Sequence, residues 1–363
     1  MFPNSPFFQL YLARLREFFR QPARIFWVYG FPTLMAIVLG YAFQSRPPAP
    51  VAVDVVDGPG TAKVREAVEA HNAKVKPADG EPAGPIPPII LDVHPEAEAL
   101  NRLRTGRTPV VVVPGDGALV TYRYDPTRPE SAAAREAIDD VLQKAAGRSD
   151  PIATKDVLVT EPGSRYIDFL IPGLIGLNAM GGGLWGVGFF LVNLRIGKLL
   201  KCYVATPMPR RDFLGAILAG RLTFLIPDLA VLLLLGVLAF HMPIRGPIWL
   251  VVLIDVVGAM AFAGIGLLIA SRAATTETVS GLMNLVMLPM WLLSGVFFSS
   301  ERFPAVVQPL IRALPLTQLV SGLRLVILEG AGLTHTGVLM ALAILAAWAV
   351  GTFWLALRLF KWT

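Results

Sequence analysis

The hydropathy of this 363-residue chain is unevenly distributed, and that unevenness limits what it can fold into. Apolar residues run from Ile25 to Phe43, residues 44–165 are far more polar, and apolar segments then follow one another to the end. A helix needs about 20 apolar residues to cross the roughly 30 Å hydrocarbon core of a bilayer. Ile25–Phe43 meets that need, as do approximately Phe169–Leu194, Phe213–Phe240, Ile248–Ala270, Val279–Phe298 and Thr336–Leu359. The pattern predicts an α-helical polytopic membrane protein of six transmembrane helices, with an α/β domain inserted after the first.

Composition agrees, because a chain that is 54% hydrophobic and only 16% charged cannot cover a soluble surface. The first apolar stretch reads as a retained span. It exceeds the usual apolar core of a signal peptide, is interrupted by Tyr29, Gly30 and Pro32, and has no small-residue cleavage site after Phe43. A single cysteine, Cys202, excludes an internal disulfide. His71, His94, His241 and His335 lack metal-ligand spacing, so no metal site is expected.

The lysines and arginines predict orientation. Arg14, Arg16, Arg20 and Arg24 precede the first span; Arg195, Lys198, Lys201, Arg210 and Arg211 lie between the second and third. Arg272 separates the fourth and fifth, and Arg358 and Lys361 follow the sixth. The opposite loops hold only Arg245 and, in the other, Arg302, Arg312 and Arg324. The positive-inside rule then puts both termini in the cytoplasm and residues 44–165 outside. This bias accounts for the net charge of +6, so no nucleic-acid partner is invoked.

Within 44–165, Val51–Val56, Ile89–Val93, Pro109–Val113, Leu119–Tyr124 and Ile152–Thr160 read as strands, rich in β-branched or aromatic residues and bounded by Gly, Pro and Asp. Ala62–Asn72, Pro95–Arg104 and Glu130–Ala146 carry helical periodicity. Lys76–Pro88, dense in proline, reads as a loop. The segment holds no nucleophile elbow and no phosphate loop, and the adjacent Asp139 and Asp140 read as a solvated helix face.

Three stretches carry the functional reading. In the loop at 195–212, Arg195, Lys198 and Lys201 recur every third residue, which predicts a basic helical stripe beside an apolar one of Ile196, Leu199, Leu200 and Tyr203. Thr206-Pro207 ends it. Both an ordinary positive-inside anchor and a docking helix fit this pattern. In Phe7–Arg20, the spacing of Phe8, Leu12, Leu15 and Phe19 predicts an amphipathic helix on the inner leaflet, separated from the span by Pro22. The segment 299–335 is too apolar for a free loop, yet Pro309, Arg312, Pro315 and Arg324 interrupt it. It predicts short re-entrant helices before the last span, a seventh span being opposed by the two arginines. Of the polar residues inside the spans, Arg221, Asp228, Asp255 and Asn284 are candidates for lining a path or fixing packing. Arg221 and Asp228 stand seven residues apart, too far by helical rise for a direct pair, so Arg221 is expected to snorkel to the interface and Asp255 to be wetted at the outer end of its span.

Taken in order, Tyr166-Ile-Asp-Phe-Leu-Ile-Pro-Gly-Leu, the basic Arg195–Gly215 loop with Thr206-Pro207, Ser294-Gly-Val-Phe-Phe, and Pro315-Leu-Thr followed by Leu323-Arg324 resemble the permeases of the second class of ATP-binding-cassette exporters, in the subgroup with a large external domain between spans one and two. Where such permeases often carry a glutamate-rich approach to the cytoplasmic loop, this chain has Asn193, Arg195 and Lys198. The resemblance implies a connecting helix within 1–24, a first span at 25–43, an external domain at 44–165 and a five-span core at 166–363. It implies an ATPase-coupling element formed by Arg195, Gly197, Lys198, Lys201, Thr206, Pro207, Arg210, Arg211 and Asp212. It further implies an external gate drawing on Phe297, Phe298, Pro315, Thr317 and Arg324.

No Gly-x-x-x-x-Gly-Lys-Ser/Thr sequence occurs in the chain. The chain is therefore expected to be no enzyme itself, with ATP and magnesium bound on a separate nucleotide-binding ATPase subunit. Other expected partners are a second permease copy or related permease, the lipid bilayer, and an envelope component on the external domain. Gly181, Gly182, Gly183, Gly186 and Gly188 would permit close helix approach. The expected place is a bacterial inner membrane and the expected cargo a hydrophobic or amphiphilic molecule. A membrane-anchored sensor or scaffold with an external ligand-binding domain would share the topology but would not depend on an ATPase.

Overall fold

The computed structural model describes residues 5–43, 50–75, 87–115, 119–149, 165–206, 208–273 and 275–359, and it divides into two compact units. One comprises Met1–Gln44 with Thr160–Thr363, and the other Ser45–Val159.

The first unit is helical. Helix α1 (Pro6–Phe19) starts at Ser5, whose hydroxyl accepts the Phe8 amide at 3.2 Å, an N-cap with Pro6 placed where its missing N–H costs nothing. The buried aromatic of α1 is Phe18, 5% exposed, whereas Phe19 is 67% exposed. This corrects the expected apolar stripe by one position, because Phe18 stacks on Phe224 with ring centres 4.0 Å apart. The first span runs Pro22–Ala42 as α2 (Pro22–Ile25), a π-helical turn (Phe26–Gly30) and α3 (Phe31–Ala42).

The second unit holds β1 (Val51–Val56), α4 (Thr61–Val75), β2 (Ile89–His94), α5 (Glu96–Arg104), β3 (Val110–Pro114), β4 (Val120–Tyr124) and α6 (Pro129–Ala145). The sheet order is β2-β1-β3-β4, with β1 parallel to β2 and β3, and β4 antiparallel to β3. Alternation along β1 sends Val53 and Val55 to one face, where they join Val64 and Val68 of α4 and Ile138 and Val141 of α6. The other face packs Val56 and Val111 against Ala99 of α5. The strand expected at Ile152–Thr160 lies outside the described residues, as does most of the Lys76–Pro88 loop.

Returning to the helical unit, α7 (Tyr166–Gly183) passes through a second π-helical turn (Leu184–Phe189) into α8 (Phe190–Ile196); α9 (Leu199–Ala205), α10 (Arg210–Phe240), α11 (Ile248–Arg272) and α12 (Thr276–Leu293) follow. A short 3-10 turn (Ser300–Arg302), α13 (Gln308–Ala313), α14 (Pro315–Ile327) and α15 (Thr336–Leu359) complete it. Among the described residues five helical stretches are long and apolar enough to cross a membrane: Pro22–Ala42, Tyr166–Ile196, Arg211–Phe240, Ile248–Arg272 and Thr336–Leu359. The remaining expected span is the 18-residue α12, whose first turn, Thr276-Glu277-Thr278, is polar. Its helix stops at Leu293, because Gly295 adopts φ +72° and turns the chain. Phe297 and Phe298 therefore lie beyond the helix that the hydropathy had them closing.

The helical core centres on α11, which packs against α7, α14 and α15. Gly183 and Gly188 bring the α7–α8 rod against it: a Cβ at Gly183 would meet the Ala263 amide at 2.7 Å, and one at Gly188 would meet the Gly266 backbone. These glycines serve packing inside the chain.

Candidate functional site

The segment expected to meet an ATPase is built by two interruptions. Gly197 ends α8, and Lys198 takes the left-handed conformation (φ 57°) before α9 begins. The two residues turn the chain, so Arg195 does not share a stripe with Lys198 and Lys201. This corrects the three-residue spacing argument, which assumed one unbroken helix. Arg195 instead donates to the carbonyls of Ala270 at 2.7 Å and Ala273 at 3.1 Å, covering the last turn of α11 where carbonyls lack helical partners. Leu200 and Phe213 are buried beneath the loop, and Tyr203 contacts the Phe213 ring at 5.2 Å between centres. Ile196 and Leu199, expected with them, are exposed. Lys198, Lys201 and Arg211 are also exposed, Asp212 is half-buried, and the Thr206 hydroxyl turns back onto the Tyr203 carbonyl at 2.6 Å. Pro207 and the Arg210 side chain lie outside the described residues.

Helix α1 docks on α10 close by. Tyr11 and Thr223 share a hydrogen bond of 2.8 Å, and the Arg14 guanidinium lies 3.4 Å from the centre of the Phe190 ring. Arg14 pairs with Glu17 at 2.9 Å; burial lowers the Arg14 pKa and the Glu17 carboxylate opposes that shift.

The proposed gate residues do not form one cluster. Arg324 of α14 donates to the carbonyls of Phe169 at 2.9 Å and Gly295 at 2.7 Å, with its guanidinium 3.4 Å from the centre of the Phe169 ring. It thereby ties α14 to the first turn of α7 and to the bend after α12. Pro315 opens α14, Thr317 is buried in its first turn, Phe297 packs on the core and Phe298 is exposed beside Phe303. At 13 residues, about 20 Å, α14 is too short to cross a bilayer.

The intramembrane candidates do come together, apart from Asn284, which is exposed on α12. Arg221 and Asp228 form a direct ion pair at 3.1 Å, and Arg221 also donates to the Asn178 carbonyl at 3.1 Å. Both are buried, at 9% and 3% exposed. Neither the separation nor the snorkelling expected from sequence holds. Seven residues are about two turns, so both side chains lie on one face of α10, and the long arginine side chain spans the gap between them. Asp255 is 1% exposed rather than wetted, and neither carboxylate oxygen has a hydrogen-bond partner among the described residues. Asn178 and Tyr29, which the sequence did not single out, belong to the same region: Asn178 donates to the Val28 carbonyl at 3.1 Å, and Tyr29 interacts with Asp228. Next to this region lies a cavity of about 500 Å³ bounded by α1, the first span, the α7–α8 rod and α10.

In the α/β unit, Asp54, Asp92 and His94 gather within 4.8 Å of one another. Arg102 occupies that cluster, bonded to Asp54 at 2.7 Å and to Asp92 at 3.3 Å.

The family described as "ABC-2 family transporter protein" matches residues 23–358. ABC transporter G family member 20 of Dictyostelium discoideum is 28% identical over 211 residues, 57% of this chain and 29% of that protein. Inner membrane transport permease YadH of Escherichia coli K12 is 25% identical over 168 residues, 45% of this chain and 63% of that protein. The aligned region thus spans less than two thirds of either relative. A match across nearly the whole chain, on a multi-span helical unit, settles the assignment: this protein belongs to the ABC-2 family of transporter permeases.

Proposed function

We propose that this chain is the permease of an exporter, that a nucleotide-binding subunit docks on the loop from Gly197 to Asp212, and that two permease copies, or one copy and a related permease, form the pathway. In this reading both chain ends and the loop face the cytoplasm of a bacterial inner membrane, and the α/β unit lies outside, where it can meet an envelope partner. ATP and magnesium reside on the docked subunit. The cargo is hydrophobic or amphiphilic.

The observation that carries the reading is the construction of the loop. Its inner side is anchored by Leu200, Tyr203 and Phe213, its outer side presents Lys198, Lys201 and Arg211, and Arg195 joins its base to the last carbonyls of α11. A force applied to the outer side is passed to the helix on which α7, α14 and α15 pack. ATP drives transport only by binding two conformations with different affinity, so a mechanical link of this kind is required. On the far side, the Phe169 and Gly295 carbonyls held by Arg324 would be released as the exit opens, and Phe297, Phe298, Pro315 and Thr317 lie on the elements that would move with it.

Co-purification with candidate ATP-binding-cassette ATPases from lipid nanodiscs tests this reading. Lys198→Glu with Lys201→Glu and Arg211→Glu should release the ATPase while the permease remains folded. If no ATPase associates, or if the triple reversal leaves association unchanged, the docking assignment is wrong and a sensor or scaffold role takes its place.

A further inference from the structure

The cavity beside α1 is lined by two kinds of chemistry. Trp27, Trp185, Phe189 and Phe224 give it broad apolar walls, and Arg14 and Arg24 give it cations. Arg221 lines it too but is paired with Asp228; its side chain lies against Gly182 and Gly186, and Arg14 donates to the Gly186 carbonyl at 3.4 Å. Among the described residues Arg14 and Arg24 are not neutralised one for one: a single carboxylate, Glu17, serves Arg14 at 2.9 Å and Arg24 at 3.4 Å, leaving these two guanidiniums against one acid. The cavity is open on one side, where Trp27 is 62% exposed.

Its volume is not a by-product of helix packing. Gly183 and Gly188 are tight against α11, but a Cβ at Gly181 would meet nothing within 4 Å, and one at Gly186 would meet only the Arg221 side chain at 3.8 Å. Both of these glycines line the cavity. So do both π-helical turns, through Trp27 and Val28 in the first and Trp185 and Phe189 in the second. A π-helical turn is an irregularity that recurs at functional sites, and here two converge on one space.

We infer that this cavity binds an anionic amphiphile, its phosphate or other acidic head held by Arg14 and Arg24 and its apolar body laid along the aromatic wall. Arginine forks match phosphate and carboxylate oxygens, and tryptophan and phenylalanine faces accept an acyl or aromatic body without demanding one shape. Entry is from the side, past Trp27 and Arg24. The site goes beyond the docking of an ATPase and does not depend on it.

Native mass spectrometry of the purified chain in neutral detergent tests the inference, with lysophosphatidylglycerol, lysophosphatidylcholine and dodecyl phosphate as probes. One lysophosphatidylglycerol should be retained at roughly tenfold lower concentration than lysophosphatidylcholine. Displacement by dodecyl phosphate would assign the site to acidic heads of any source, and resistance to displacement would assign it to a glycerophospholipid head; both support an anionic amphiphile site. Gly181→Leu, at a position where a Cβ would meet nothing within 4 Å, puts a side chain into the space and should abolish retention. Arg24→Gln, at the half-exposed rim, should remove about tenfold of the preference for the anionic lipid and keeps the test usable if Gly181→Leu does not fold. Equal retention of the two lysolipids, or retention unchanged in both folded variants, overturns the inference. The assay contains no ATPase, so its failure and a failure of ATPase docking are read separately.

Discussion

Removing the carboxylate at position 228 while leaving Arg221 in place should be among the most damaging single changes in the helical unit. Arg221 and Asp228 are paired at 3.1 Å, and both are almost wholly withdrawn from solvent. In Asp228→Leu the guanidinium would keep only its bond to the Asn178 carbonyl. Arginine cannot shed its charge, and breaking a buried pair from one side costs about 3–5 kcal/mol. The lower figure is on the order of a hundredfold in the folding equilibrium. Arg221→Met should cost less, because Asp228 keeps its interaction with Tyr29 while the fixed guanidinium charge is removed. The double variant Arg221→Met with Asp228→Leu should recover most of the loss, since apolar replacement of both partners is often close to neutral. Unfolding in mixed micelles, followed by tryptophan fluorescence across this double-mutant cycle, supplies the three differences. A cost below about 1 kcal/mol for Asp228→Leu would refute the reasoning, and would mean that Arg221 reaches water or the interface when its partner is lost.

Lys198 holds a left-handed conformation with no side-chain cap, so Lys198→Gly should raise stability by about 0.5–1 kcal/mol, measured by the same unfolding assay, while weakening ATPase association in the pull-down. Gly266→Leu should prevent correct assembly, because even a Cβ there would lie 2.7 Å from the Gly183 carbonyl; loss of the monodisperse peak in size-exclusion chromatography would show it. Arg102→Ala should leave the buried Asp54 carboxylate without its guanidinium and loosen the α/β unit, detected as faster amide exchange in β1 and α5 of the full chain. Arg195→Gln should leave ATPase docking intact but reduce stimulation of the ATPase by the permease, because it removes the charged contact to the last turn of α11 without altering the exposed cations.

The long apolar helices were legible because their signal is summed over some twenty residues, and no single substitution disturbs it. Contacts that turn on one residue were not. Phe18 and Phe19 are equally apolar neighbours, and what buries Phe18 is the docking of α1, which stacks it on Phe224 and sets it against Tyr29 while Phe19 meets Phe224 edge-on. The Arg195–Lys198–Lys201 stripe failed because Lys198 adopts a conformation that propensity assigns to glycine or asparagine. The Arg221–Asp228 pair was missed for another reason: helical rise measures the distance between backbones, and an arginine reaches well beyond its own. The two π-helical turns have no compositional signature, so the cavity they border was invisible before the fold was known.

The glycine-rich run after Asn178 shows why such a segment resists a single interpretation from sequence. Gly183 and Gly188 press on α11, where a side chain has no room, and they hold the rod against the core. Gly181 and Gly186 face the cavity, where a side chain would have room and none is supplied. If closeness of packing alone explained the run, alanine should be damaging at all four positions; the geometry instead divides them. Gly183→Ala and Gly188→Ala should each destabilise the chain by about 1–3 kcal/mol through overpacking. Gly181→Ala and Gly186→Ala should be neutral or slightly stabilising, since alanine favours the helix by up to about 1 kcal/mol. Thermal unfolding of the four variants in one detergent separates the two classes. Equal loss in all four would show that the space beside α1 closes in the working protein and that the rod packs through both of its glycine faces.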